Sequence, residues 1–166
     1  MTDDRHFRIR GARLGDAPRI LNFIRELASY EKLAHEVSAT EDNIKDNLFD
    51  AHPKAECIIA EHDGTAIGFA LYFHNFSTFL GKPGLYLEDL YVQPAFRGRG
   101  YGRKLLSHLA KLAVSRGCGR FEWAVLDWNA PAIGFYKKLG ANMMADWRIN
   151  RLSGGALQKL AAEATD

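Results

Sequence analysis

The chain has 166 residues, 47% apolar and 25% charged, with 22 basic against 20 acidic side chains and a formal net charge of +2. That suits one domain able to bury a proper core, and it is too little positive charge to argue for nucleic acid, because no basic stripe extends beyond one glycine-rich loop. The first residues, Met1-Thr-Asp-Asp-Arg5, hold no apolar segment of signal-peptide type, and the most apolar run, Ile67 to Phe73, is far too short to span a membrane, so a cytoplasmic protein without membrane contact is expected.

Phe7-Arg-Ile-Arg10 reads as a short first strand. Asp16 is placed to cap a helix with Pro18 in its first turn, and Ile20, Leu21, Ile24, Leu27 and Ala28 recur at the spacing of a core stripe. Thr40 caps a second, more polar helix that runs to about Leu48. Glu56 to Glu61 and Ala66 to Phe73 read as strands joined at Asp63-Gly64, a pair that tolerates the positive φ of a tight hairpin. Gly81-Lys-Pro-Gly84 reads as the loop before a more apolar strand, Leu85-Tyr-Leu-Glu-Asp-Leu-Tyr-Val92, which Pro94 ends. Leu105, Leu109, Leu112 and Ala113 then give a helical period, and Phe121 to Leu126 another buried strand.

Asn129 is a good N-cap for a short helix, Pro131 sits where its missing N–H does no harm, and Gly140 is a natural stop. Ile133, Tyr136 and Leu139 fall within one arc of that helix. Met143 to Asn150 with Arg151-Leu152 are expected to supply at least one more strand, and Gly154-Gly155 separates it from a short amphipathic tail. Cys57 and Cys118 read as isolated, buried small hydrophobes, and the histidines lack metal-ligand spacing, so no metal site is expected. There is no repeat and no linker. The expected class is α+β, a mixed central sheet flanked by helices.

The segment Arg97-Gly-Arg-Gly-Tyr-Gly102 delivers the strand to a helix N-terminus. Such a turn presents unpaired N–H groups with little side-chain bulk, which suits phosphate oxygens, and Arg97, Arg99, Arg103 and Lys104 add positive charge. A Walker loop is excluded, since Gly102 is followed by Arg103-Lys104-Leu105. The glycines miss the dinucleotide fingerprint by one position, yet Glu122 lies where a ribose-binding acid would stand. On these residues alone a dinucleotide-dependent oxidoreductase stays open, and so does a plain basic connection.

The R-x-x-G-x-G loop together with the N-x-P…F-Y helix resembles the GNAT superfamily of acyl-CoA N-acyltransferases. Tyr30-Glu31-Lys32-Leu33, the Leu85–Val92 strand, Val125-Leu-Asp-Trp-Asn129 and Trp147 resemble, within it, the diamine/polyamine and thialysine N-acetyltransferase branch. The resemblance runs from about Phe7 to about Leu160 and implies a single GNAT domain over residues 1–166, with a mostly antiparallel sheet and a homodimer. It implies acetyl-CoA as co-substrate, with Leu90, Tyr91 and Val92 along the pantetheine and Arg97, Gly98, Arg99, Gly100, Tyr101, Gly102 and Arg103 around the pyrophosphate. Asn129 and Pro131 would lie by the pantetheine arm, with Tyr136 at the sulfur.

An alkyl amine with a pKa of about 10.4 is neutral in only about one molecule in 2,500 at pH 7, so it must lose a proton before attack. The thioester oxygen needs a hydrogen-bond donor and the departing thiolate a proton. There is no G-x-S-x-G elbow and no Cys beside a His, so transfer is expected to be direct, within a ternary complex. The resemblance makes Tyr136 the acid and Glu88 the base through water, and it implies a bulge in the Leu85–Val92 strand with an N–H near Leu90 as the oxyanion donor. It gathers Tyr30, Glu31, Glu88, Asp89, Glu122, Trp123 and Trp147 around the acceptor, where carboxylates would concentrate a small cationic amine. The polyamine branch carries an aspartate where this chain has Ser77, which favours thialysine-like and short amines over long polyamines. An acetyltransferase acting on a protein amine, or a CoA-binding module without catalysis, remains the alternative.

Overall fold

A computed structural model describes residues 6–165. The chain forms two compact units, one up to Leu126 and the other from Asp127.

In the first unit, five strands lie in chain order: β1 (Phe7–Gly11), β2 (Glu56–His62), β3 (Thr65–Ser77), β4 (Lys82–Val92) and β5 (Arg120–Trp123). The first three junctions are antiparallel and β4–β5 is parallel, so the sheet is mixed and mostly antiparallel. The β2–β3 hairpin turns at Asp63 and Gly64, both at positive φ. β4 starts earlier than the sequence indicates: Lys82, Pro83 and Gly84 already pair with Ser77, Phe76 and Asn75. Pro83 removes one ladder donor, but the pairing of its neighbours holds it in register.

Helix α1 (Ala17–Tyr30) and helix α2 (Glu41–Leu48) cover one face. Ala17, Ile20, Phe23 and Leu27 of α1 and Ile44 of α2 cluster with Cys57, Ile59, Phe69 and Tyr91 of the sheet. Thr40 caps α2 by accepting the Asn43 N–H. Asp16 precedes α1 but does not cap it through its side chain. Its carboxylate takes the Arg10 guanidinium at 2.7 and 2.9 Å and the Arg13 N–H at 2.7 Å, which tie the helix start to β1. The hydrogen bonds from Arg10 hold the Asp16 carboxyl below its usual range against the opposing effect of burial.

Helix α3 (Tyr101–Ser115) buries Leu105, Leu106, Leu109 and Ala113 and packs on β4 and β5. Cys57 is buried as expected, whereas Cys118, in the turn after α3, is only half-buried.

In the second unit, α4 (Ala130–Lys138) has Asn129 as its N-cap, Pro131 in its first turn and Gly140 at φ 89 just past its end. Helix α5 (Gly154–Ala161) forms the tail. The strand expected from Met143 to Leu152 is absent: those residues carry no regular structure and expose Met143, Met144, Trp147, Ile149 and Leu152. A strand needs a ladder partner for its backbone groups, and apolar content alone does not provide one.

Candidate active site

From Gly84 to Leu87, β4 is paired on both sides, to β3 and to Arg120–Trp123 of β5. Past Leu87 the parallel partner ends at Trp123, while β4 continues to Val92 against β3 alone. The ladder breaks at the same point. Leu87 lies opposite Tyr72 and Asp89 opposite Leu71, which leaves Glu88 as a bulged, exposed residue without a cross-strand partner on β3.

Backbone alternation then decides which amides face the opened edge. The Gln93 N–H donates to the Ile67 carbonyl at 2.9 Å. Counting back in an antiparallel ladder, Tyr91 and Asp89 turn their N–H groups toward β3, and Leu90 and Val92 turn theirs away. The Val92 carbonyl agrees, because it accepts from Arg97 Nε at 2.8 Å and not from β3. Of the three amides expected along a pantetheine arm, Leu90 and Val92 therefore face outward. Tyr91 contributes a buried ring to the α1 face.

After Val92, a 3-10 turn (Pro94–Phe96) leads into the glycine loop. Gly98 and Gly100 sit at φ 75 and 80, and a Cβ at either would meet open space, so both are required by backbone conformation and not by crowding. Gly100 is the N-cap of α3, and the Lys104 N–H is the first to bond back, to the Gly100 carbonyl. The amides of Tyr101, Gly102 and Arg103 precede that bond and form the helix's anion-binding end. The Tyr101 ring is buried against Phe7, and its hydroxyl meets His62 Nδ1 at 2.9 Å, so only its backbone N–H faces the loop. The Arg99 guanidinium lies 5.3 Å from the Phe96 ring centre.

An acidic group stands on the α1 side. Burial, then the charges of Glu88 and Glu31, push the Asp89 carboxyl up to about 6. Burial also raises Glu31, the residue just past α1. Glu122 does not join them: it pairs with Arg120 Nε at 2.7 Å and accepts from Asn75 Nδ2 at 3.3 Å, so its charge is already balanced. Trp123 ends β5 opposite Leu87, beside the bulge, and stacks edge-on with Phe121. Tyr30, at the end of α1, lies under the Arg97 guanidinium.

Ser77 is the buried last residue of β3, and its hydroxyl accepts the Leu80 N–H. It stands six strand positions beyond Leu71, about 20 Å along the ladder from the residue opposite Asp89. Ser77 thus shapes the β3–β4 turn and lies apart from the acidic group. In the second unit, Asn129 Oδ1 accepts the Ala132 N–H at 3.4 Å, Tyr136 is half-buried beside the Phe135 ring, and Trp147 is exposed. Among the described residues, no group of three or more His, Cys, Asp and Glu is placed to hold a metal ion, and no helix is long and apolar enough to cross a membrane.

The residues themselves show Glu88 only as an acid in an apolar run; that the bulge implied by the resemblance falls at Glu88 comes from the register. The Arg97 contact with α1 was not readable either, since nothing in the sequence relates residue 97 to residue 30.

Residues 20–141 match the acetyltransferase (GNAT) family. The chain is 39% identical to a thialysine N-epsilon-acetyltransferase of Sus scrofa, covering 93% of this chain and 97% of that one. It is 33% identical to an L-ornithine N5-acetyltransferase of Arabidopsis thaliana, covering 92% and 87%. Among solved structures, an integron cassette protein from the mobile metagenome of V. cholerae superposes with a TM-score of 0.78 at 28% identity, covering 94% of this chain and 98% of that one.

Proposed function

The chain belongs to the GNAT acetyltransferase family and is an acetyl-CoA-dependent N-acetyltransferase, and from that premise we propose that it acetylates a primary amine of a small cationic metabolite, thialysine-like or a short diamine. The observation that carries this reading is the opened half of β4. One short stretch supplies outward amides, a bulged carboxylate and, on the α1 side, the half-buried Asp89 near the half-buried Glu31, and it runs directly into a glycine loop at a helix N-terminus.

The donor fits the residues present. The outward amides of Leu90 and Val92 suit the amide-rich pantetheine arm, and the N–H groups of Tyr101, Gly102 and Arg103 suit a pyrophosphate. Gly98 and Gly100 leave the approach open, and Arg99 and Arg103 add charge. In the reaction, the C–N bond forms as the C–S bond breaks. Glu88 takes the amine proton through water, the Leu90 N–H donates to the developing oxyanion, and Tyr136 protonates the departing thiolate. Asp89 and Glu31 attract the cationic acceptor without touching the reacting atoms, with Tyr30 next to Glu31, and the resemblance adds Trp123 to the acceptor site.

The sequence resemblance assigns Asn129, Pro131 and Trp147 to the same site, within a single domain. We take the enzyme to be cytoplasmic and homodimeric. The exposed Met143, Met144, Trp147, Ile149 and Leu152 support a second copy as their cover, and sedimentation of the full chain tests it.

The test of function is free-thiol release from acetyl-CoA across thialysine, lysine, ornithine, short diamines and spermidine. Saturable turnover with thialysine or a short diamine, ahead of spermidine, is expected. Acetyl-CoA binding without transfer to any of these amines would overturn the acceptor assignment.

A further inference from the structure

Arg97 opens the phosphate-binding loop, yet its side chain is directed elsewhere. Its Nε donates to the Val92 carbonyl at 2.8 Å, and its guanidinium carbon lies 5.0 Å from the Tyr30 ring centre and 5.4 Å from that of Tyr91. These partners belong to different parts of the site. Val92 is the last residue of β4, and its N–H faces the opened donor edge. Tyr30 is the last residue of α1, followed directly by Glu31 of the acidic group. The backbone there is tightly closed: the Lys32 N–H donates to Ser29 and the Leu33 N–H to Ala28, with Lys32 at φ 62. A push on the Tyr30 ring is therefore carried into the position of Glu31.

We propose that Arg97 is a positioning residue that couples the donor cradle to the acceptor wall, so that ordering of the loop by the CoA moiety fixes Tyr30 and Glu31 for the amine. The inference rests on the acetyl-transfer reading above. Arginine suits the task because its planar group can stack between rings while an edge N–H donates to a carbonyl; a lysine ammonium has neither the plane nor the fork. In this position the group is engaged by Val92 and two rings, and the phosphate charge is balanced by Arg99, Arg103 and the helix amides.

The test is hydrogen exchange over Leu27–Leu33 with and without saturating CoA, in the wild type, Arg97→Ala and Arg97→Lys, paired with amine KM at saturating acetyl-CoA. CoA slows exchange in that segment of the wild type and leaves it unchanged in Arg97→Ala, with Arg97→Lys close to Ala. Loss of a partly desolvated stacked cation raises amine KM by about tenfold with little change in kcat. Tyr30→Ala gives the same rise, Tyr30→Phe keeps wild-type behaviour, and the Arg97→Ala/Tyr30→Ala double variant is no worse than either single. Wild-type protection in CoA-saturated Arg97→Ala, or a raised CoA Kd with unchanged amine KM, overturns the coupling and makes Arg97 a phosphate ligand only. A wild type that neither binds CoA nor releases thiol is a different result: it removes the acetyl-transfer reading, and the coupling with it.

Discussion

The two halves of β4 share one strand and have opposite surroundings. Gly84 to Leu87 is laddered on both edges, with Leu85 and Leu87 buried; Glu88 to Val92 is laddered on one edge, bulged at its start and carries two acids. The first half has no unpaired backbone group to offer a ligand. The second half has outward amides because its neighbour has ended. A strand that loses one partner while held by the other gives a rigid row of donors, which a loop does not provide as reliably. The contrast predicts that substitutions in the closed half change stability, whereas those in the open half, and at the residue that completes its chemistry, change turnover.

The largest effect is expected at Tyr136, to which the family motif assigns the proton donor. Tyr136→Phe should lower kcat by about 10²–10⁴ while acetyl-CoA affinity stays within a few-fold. Turnover within twofold of wild type would return Tyr136 to a packing role and leave the open half without its acid.

Next is the closed half. Leu85 is fully buried, and Leu85→Ala should cost about 2–5 kcal/mol, read as a lower urea midpoint with turnover per folded molecule unchanged. A fall in specific activity as large as the fall in stability would erase the distinction between the halves.

A smaller and pH-dependent effect is expected at Asp89, whose carboxyl is raised to about 6 by burial and by its acidic neighbours. Between the ordinary aspartate value, about 3.9, and about 6, the folded state holds the proton more tightly than the unfolded chain. Stability therefore falls as pH rises through that window, and at pH 8 the strain of the buried charge is fully present. Asp89→Asn should raise stability at pH 8 by on the order of 1–2 kcal/mol, read as a higher melting temperature, and change it little at pH 4. It should also raise amine KM, and in the wild type amine KM should climb as pH drops below about 6. Equal stabilisation at both pH values would mean that the carboxylate is not strained.

Much of this was legible in the sequence because local signals agreed with tertiary need. Asp63-Gly64 has the positive φ of the hairpin, Thr40 and Asn129 cap the helices they precede, and Gly100 ends at a helix N-terminus with the left-handed φ that favours glycine. The failures lie where pairing or partners decide. Asp16 has the look of a cap but is held by Arg10, which no local pattern reveals. The pairing of Glu122 with Arg120, two residues away on β5, is likewise invisible to the motif. Met143 to Leu152 have strand composition but carry no regular structure, since apolar content does not by itself form a ladder. The resemblance names the candidate site acids and implies a bulge in the motif strand; the position of that bulge at Glu88 and the alternation that turns Leu90 and Val92 outward come from register, which depends on how β3 and β4 align.

The most direct test of the central claim, that the open half of β4 carries amine activation, is the pH dependence of thiol release with a short amine for Glu88→Gln against the wild type. A base that removes the ammonium proton matters most where free amine is scarce. The account predicts a loss of turnover that is greatest near pH 7 and narrows above about pH 9, with stability within about 0.5 kcal/mol of the wild type. A loss of equal size at every pH, or none at all, would contradict it.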